Sequence, residues 1–133
     1  MHEINLPDVV EEMTAMFDRY EKALVTNDIA TLNGFFWDSP LTLRYGVDKN
    51  QYGIDQIAAF RAARPAVDLA RKLRNTVITT YGRDYATANT EFYRASMNGP
   101  GRQSQTWLRT EEGWKIVAAH VSVMQTVTPG ETK

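Results

Sequence analysis

A chain of 133 residues is long enough for one hydrophobic core and little more, and at 43% hydrophobic and 23% charged it reads as globular rather than disordered. Its 15 basic and 16 acidic residues leave a net charge of -1, and no basic patch is interleaved with aromatics, so nothing argues for nucleic acid. It has no cysteine, no run near the ~18 apolar residues of a membrane span, and an N-terminus, MHEINLPDVVEE, without the basic start and apolar core of a signal peptide, so a soluble cytoplasmic protein without disulfides or a thiolate site is expected.

Residues 8–26 carry the clearest helical pattern. Val9, Val10, Met13, Met16, Phe17, Tyr20 and Leu24 recur at three- and four-residue steps and make one apolar stripe. Asp8 and Glu11 have the spacing of a capping box, with Pro7 ahead of them. Tyr20 lies on the buried stripe, so its hydroxyl needs a partner; a core tyrosine bonded to a backbone carbonyl is one reading and a site residue is the other. Asn27-Asp28 breaks this helix, and Asp28 caps a short second one to about Phe36. Leu32, Phe35, Phe36 and Trp37 form its apolar cluster, and Asp38-Ser39-Pro40 ends it.

The next segment, 41–46 (LTLRYG), reads as a strand. Leu41, Leu43 and Tyr45 share one face, and Thr42 and Arg44 the other. On a solvated face Arg44 is ordinary; in a covered interior its charge needs an anion or a carboxylate. Arginine suits a carboxylate because it offers two parallel hydrogen bonds. Residues 49–51 read as a turn, and residues 54–64 as a third helix stopped by Pro65. Arg61 is placed either to solvent or inward beside Phe60, and Arg64 to solvent. From Leu69 the chain turns to β-structure, with strands at 73–82 and 85–97 and turns at 83–84 and 98–101.

Residues 101–122, GRQSQTWLRTEEGWKIVAAHVS, form the strongest hairpin signal: alternating runs over 102–109 and 114–122 around a polar turn at 110–113. With Arg109 opposite Trp114, a continuous register puts Gln103, Gln105 and Trp107 on one face with Trp114, Ile116, Ala118, His120 and Ser122. Val117, Ala119, Val121 and Val123 fall on the other, which is apolar enough to be covered as well. Core aromatics mixed with Gln105, His120 and Ser122 suggest a cavity on the first face; the alternative is a structural histidine and serine bonded to their surroundings. A polar tail begins at about 127. With His2 near a fraying terminus and His120 alone elsewhere, no histidine metal site and no cofactor is expected.

Helices bunched before residue 65 and long antiparallel strands after it indicate an α+β fold. The order resembles the NTF2-like cone of the SnoaL-like group, which includes ketosteroid isomerase: one domain over 1–133, with three N-terminal helices on a curved, mostly antiparallel sheet that encloses a pocket. FDRYEKALVTND at 17–28, LTLRYG at 41–46, FRAARP at 60–65 and GRQSQTWLRTEEGWKIVAAHVS at 101–122 resemble the AtzH-like family (DUF3225, the HpxZ type of oxalurate catabolism). The likeness runs from about Asn5 to Met124, and its last motif is the most specific.

That resemblance implies a decarboxylating amidohydrolase acting on a small carboxylated urea or amide, such as 1,3-dicarboxyurea converted to allophanate in cyanuric acid catabolism. It implies Tyr20 and Arg44 as the catalytic pair and action beside an amidase-signature enzyme. By analogy with the fold it implies a homodimer. Such a substrate carries two negative charges, which Arg44 would meet. Tyr20 would supply a proton or act as a base, its reference pKa of about 10 lowered by a neighbouring guanidinium. Trp37 and Trp107 would form apolar walls, with Arg61, Gln105, His120 and Ser122 as further substrate contacts. No Ser-His-Asp arrangement or Lys-Ser dyad is recognisable, so acyl-enzyme chemistry is not favoured. The competing expectations are a carboxylate-binding module without turnover, which needs Arg44 but not Tyr20, and an amidase-partner protein that needs neither.

Overall fold

The structure is a computed structural model that describes residues 3–125; His2 and the tail from 127 lie outside them. Three helices, α1 (Pro7–Val25), α2 (Ile29–Phe35) and α3 (Ile54–Ala63), lie against one six-stranded sheet. The strands are β1 (Leu43–Tyr45), β2 (Asn50–Tyr52), β3 (Lys72–Tyr81), β4 (Tyr85–Tyr93), β5 (Gly101–Thr110) and β6 (Gly113–Val123). Their order across the sheet is β2-β1-β6-β5-β4-β3. Only β1 and β6 run parallel; the other neighbours are antiparallel. The α+β expectation holds, with four long antiparallel strands after Leu69.

Helix α1 buries the expected stripe: Val9, Met13, Phe17, Tyr20 and Leu24 face the sheet. They pack in one core with Phe35, Phe36, Trp107 and Ile116. Its start differs from the sequence reading. Leu6 is the N-cap residue, Pro7 occupies the first turn, and no side chain caps it, so the capping box of Asp8 and Glu11 does not form. Proline fixes φ for the first turn and lacks the N–H that would otherwise go unpaired, which sets the boundary one residue earlier. Asp28 caps α2 as expected, accepting from the Thr31 backbone N–H at 3.3 Å and from its hydroxyl at 2.7 Å.

Asn50 and Gln51, expected in a turn over 49–51, instead form with Tyr52 the edge strand β2. It pairs Arg44 with Gln51 and makes a hairpin of β1. β4 ends at Tyr93, short of the expected 97.

The largest correction lies in the β5–β6 hairpin. The turn sets Arg109 opposite Trp114 as expected, and Trp107 faces Ile116, but a bulge then shifts the register so that Gln105 pairs with Ala119 and Gln103 with Val121. An extra residue in one strand moves every later side chain of that strand to the other face. Ala119 and Val121 therefore turn inward, and His120 and Ser122 turn outward. The inner face shows this directly as one row across five strands: Gln51, Arg44, Ala119, Gln105 and Ala88.

Candidate functional site

The inner face of the sheet changes character along its strands. At one end Ala86, Trp107 and Ile116 belong to the core; farther along, Thr90, Gln103 and Gln105 are polar yet buried. Each glutamine has its carbonyl oxygen occupied: Gln105 accepts from the Trp107 indole N–H at 3.1 Å, and Gln103 from Arg71 at 3.0 Å. Both partners are donors only, so each amide NH2 is turned away from them. Neither NH2 has a hydrogen-bond partner among the described residues.

Tyr20 comes down on this face from α1, between Phe35 and Phe36. It is 3% exposed. Arg61, 1% exposed in the last turn of α3, donates from Nη2 to the Tyr20 hydroxyl at 2.9 Å. Guanidinium accepts no hydrogen bond, so the tyrosine's own hydrogen remains available to another acceptor. Burial pushes the Tyr20 hydroxyl up, but the charges of Arg61, Arg44 and Arg71 outweigh it and hold the group below its ordinary value.

Arg44 stands on β1, 7% exposed. Its Nη1 donates to Gln51 Oε1 at 2.9 Å, and its guanidinium lies 4.5 Å from the centre of the Phe60 ring. Gly46 leaves it room: a Cβ there would lie 2.7 Å from Nη1. Burial, with repulsion from Arg61, lowers Arg44 to about 10, so it is cationic at neutral pH. Among the described residues no carboxylate pairs with Arg44 or Arg61, whereas Arg71 is bound to Glu21 through two bonds of 2.7 and 2.6 Å.

Arg44 also lines a cavity of about 920 Å³ whose walls include Phe60, Phe92, Arg64, Arg94 and Val121. Two of these cations escaped the sequence reading. Arg64, expected in solvent, is half-buried at the end of α3. Pro65 forces it into extended backbone, φ -71° and ψ 130°, and its Nη2 reaches Asn27 Oδ1 at 3.3 Å. Arg94 continues the inward alternation of Thr90 and Phe92 just past β4; that parity was the signal available in the sequence.

The sequence-predicted site residues separate into three groups. Tyr20, Arg44 and Arg61 come together: Arg44 on the cavity wall, with the Tyr20–Arg61 pair next to it and more deeply buried. Gln105 and Trp107 share the inner face, but Trp107 is core, 5.9 Å from the Phe35 ring. Trp37, His120 and Ser122 lie elsewhere. Trp37 is half-buried, its N–H bonded to the Ile116 carbonyl and its carbonyl to the Thr42 hydroxyl. The bulge carries His120 to the outer face, where it meets Tyr45 edge-on at 6.0 Å, and Ser122 follows it. Among the described residues no group of histidine, aspartate and glutamate could hold a metal ion, and no helix is long and apolar enough to cross a membrane.

A family model described as AtzH-like matches residues 2–127. No curated protein matches the chain. Among solved structures, a protein of unknown function from the DUF3225 family of Pectobacterium atrosepticum is 56% identical with a TM-score of 0.90, over 92% of this chain and 95% of that one. A cystatin-like fold protein from Burkholderia xenovorans is 46% identical with a TM-score of 0.91, over 96% of this chain and 100% of the other. An NTF2-like superfamily protein from Salmonella enterica is 27% identical with a TM-score of 0.71, over 95% and 98%. The fold is NTF2-like, with a cystatin-like sheet.

Proposed function

The chain belongs to the AtzH-like family, and we propose that it is a decarboxylating amidohydrolase acting on a small carboxylated urea or amide, of which 1,3-dicarboxyurea yielding allophanate is the type. The observation that carries this reading is a buried tyrosine hydroxyl held by Arg61 beside Arg44, with no carboxylate on either cation among the described residues. Two unneutralised guanidiniums in a low-dielectric interior call for an anion. A carboxylate of the substrate supplies it.

The chemistry asks little of the protein. The bond between the carboxylate carbon and the urea nitrogen breaks, its electron pair passes to nitrogen, and CO2 leaves. The nitrogen takes a proton from Tyr20, and solvent later restores it. Arg61, Arg44 and Arg71 stabilise the phenolate left behind, which is the same effect that lowers the tyrosine's pKa. Gln105 and Gln103 offer their free amide donors to substrate oxygens. The outer sheet face, where Tyr45, Tyr52, Val77 and Tyr85 are exposed, is the surface on which a second copy packs in a homodimer; sedimentation as a monomer at micromolar concentration would remove that part of the proposal.

The test is CO2 release from a panel of carboxylated ureas. Tyr20→Phe keeps the ring and removes only the hydroxyl, so it should fold while turnover falls by about 100-fold or more, as for a positioned acid. Full turnover in this variant would rule out Tyr20 as the acid, whereas no CO2 release from any member of the panel by the unaltered protein would leave a carboxylate-binding protein.

A further inference from the structure

We propose that Arg64 and Arg94 form a second anion subsite in the cavity, separate from Arg44, so that the ligand is held as a dianion with one carboxylate at each. This rests on the carboxylate-binding reading of Arg44 given above. Both side chains line the same cavity as Arg44. Both have a buried Nε–H without a hydrogen-bond partner among the described residues. Both are held by neutral groups: Arg64 by the Asn27 side-chain carbonyl at 3.3 Å, and Arg94 over the Phe92 ring at 5.1 Å.

Neither charge has an ion-pair partner among the described residues, because the nearby acids are bonded elsewhere; Asp68 and Glu21 act on Arg94 only through space. Glu21 is gripped at both oxygens by Arg71. Asp68 accepts from both the backbone N–H and the hydroxyl of Ser96. The charged groups on the cavity wall are Arg44, Lys49, Arg64 and Arg94 against Asp48 and Asp68, a surplus of two positive charges. Two carboxylates balance that surplus. Burial, and repulsion from neighbouring arginines, holds both Arg64 and Arg94 below their ordinary values, which an anion between them would relieve.

Malonate and malonamate test this, because they are near-isosteres that differ by one charge. Calorimetry on the intact chain should show malonate bound ~10-fold or more tightly than malonamate, the scale of a charge-assisted hydrogen bond. Arg64→Gln and Arg94→Gln should bring the two probes toward equal affinity while leaving malonamate binding within about threefold, which also shows that the variants fold. Arg44→Lys should weaken both probes together. Equal affinity of the unaltered protein for the two probes, or no binding of either, overturns the subsite. So does a malonate preference that survives both glutamine substitutions, or loss of both probes alike in both of those variants. If Arg44→Lys leaves both affinities unchanged while the glutamine variants abolish the preference, the subsite stands and the catalytic reading centred on Arg44 fails.

Discussion

Arg61 and Tyr20 are 41 residues apart in sequence and joined by a 2.9 Å hydrogen bond between side chains that are both almost wholly buried. The bond ties the end of α3 to the middle of α1 and points a cation at a phenol. Its electrostatic consequence can be measured. Burial alone would raise the tyrosine's pKa, and the arginines reverse that sign. Phenolate absorbance, taken as the difference from Tyr20→Phe, should show Tyr20 ionising below the ordinary value of about 10. Arg61→Gln should move that step upward. Because the folded pKa is the depressed one, the linked stability is complete above about pH 10 and is lost as pH falls through the folded pKa. A step that stays in place in Arg61→Gln would show that the hydrogen bond does not tune the group.

His120 supplies a test of the strand register. On the outer face it touches Tyr45 and has no path to the cavity. His120→Ala should leave turnover and probe binding unchanged, with stability altered by less than about 1 kcal/mol, the scale of an aromatic edge contact. A large loss of activity would mean that the bulge is absent and His120 points inward.

That residue also shows where sequence reasoning reached its limit. The three helices, the long strands and the hairpin turn were legible because each rests on a local signal: the three- and four-residue apolar steps of α1, the prolines at 7 and 65, and the Glu-Gly turn at 112–113. Tyr20 and Arg44 stood out because each is polar in a run whose neighbours are buried. The bulge at Val117, between the Thr106–Ala118 and Trp107–Ile116 pairs, has no such signal. KIVAAHV alternates acceptably in either register, and no glycine or proline marks the extra residue. β2 escaped for a related reason: three polar-rich residues become a strand only because β1 offers them an edge. Arg64 and Arg94 escaped because a charge at the end of an element reads as solvated until the opposing elements are in place.

Glu21 and Arg71 make the one buried ion pair among the described residues, their side chains 17% and 2% exposed. Arg71 also donates to Gln103 and lies 4.6 Å from the centre of the Phe92 ring. Glu21→Gln leaves that guanidinium buried and unneutralised. Removal of one partner from a buried pair costs about 3–5 kcal/mol, and the residual exposure of Glu21 favours the lower end. Urea unfolding should show a lower midpoint with an unchanged slope. An unchanged midpoint would mean that solvent already screens the pair.

Two glycines separate a functional crowding from a structural one. At Gly46 an added Cβ meets Arg44 Nη1 at 2.7 Å and the Lys49 carbonyl at 3.0 Å. The first contact is the far end of a flexible side chain, which can swing away; the second asks the backbone to give only slightly. Gly46→Ala should therefore fold with little loss of stability but displace the Arg44 head from Gln51. Carboxylate binding should fall by about tenfold, the scale of one charge-assisted hydrogen bond. At Gly101 an added Cβ would overlap the Phe92 ring. That ring lies against the guanidiniums of Arg71 and Arg94 and borders the cavity, so it gives way only by displacing those cations or by moving into the cavity. Gly101→Ala should destabilise by about 1–3 kcal/mol, as overpacking does, and should weaken malonate binding through Arg94. Denaturant midpoints and calorimetry on the two variants decide the matter together. Stability intact with binding lost at Gly46, against stability lost at Gly101, is the expected pattern. If Gly46→Ala binds carboxylates at full affinity, the Arg44 head is not what holds them.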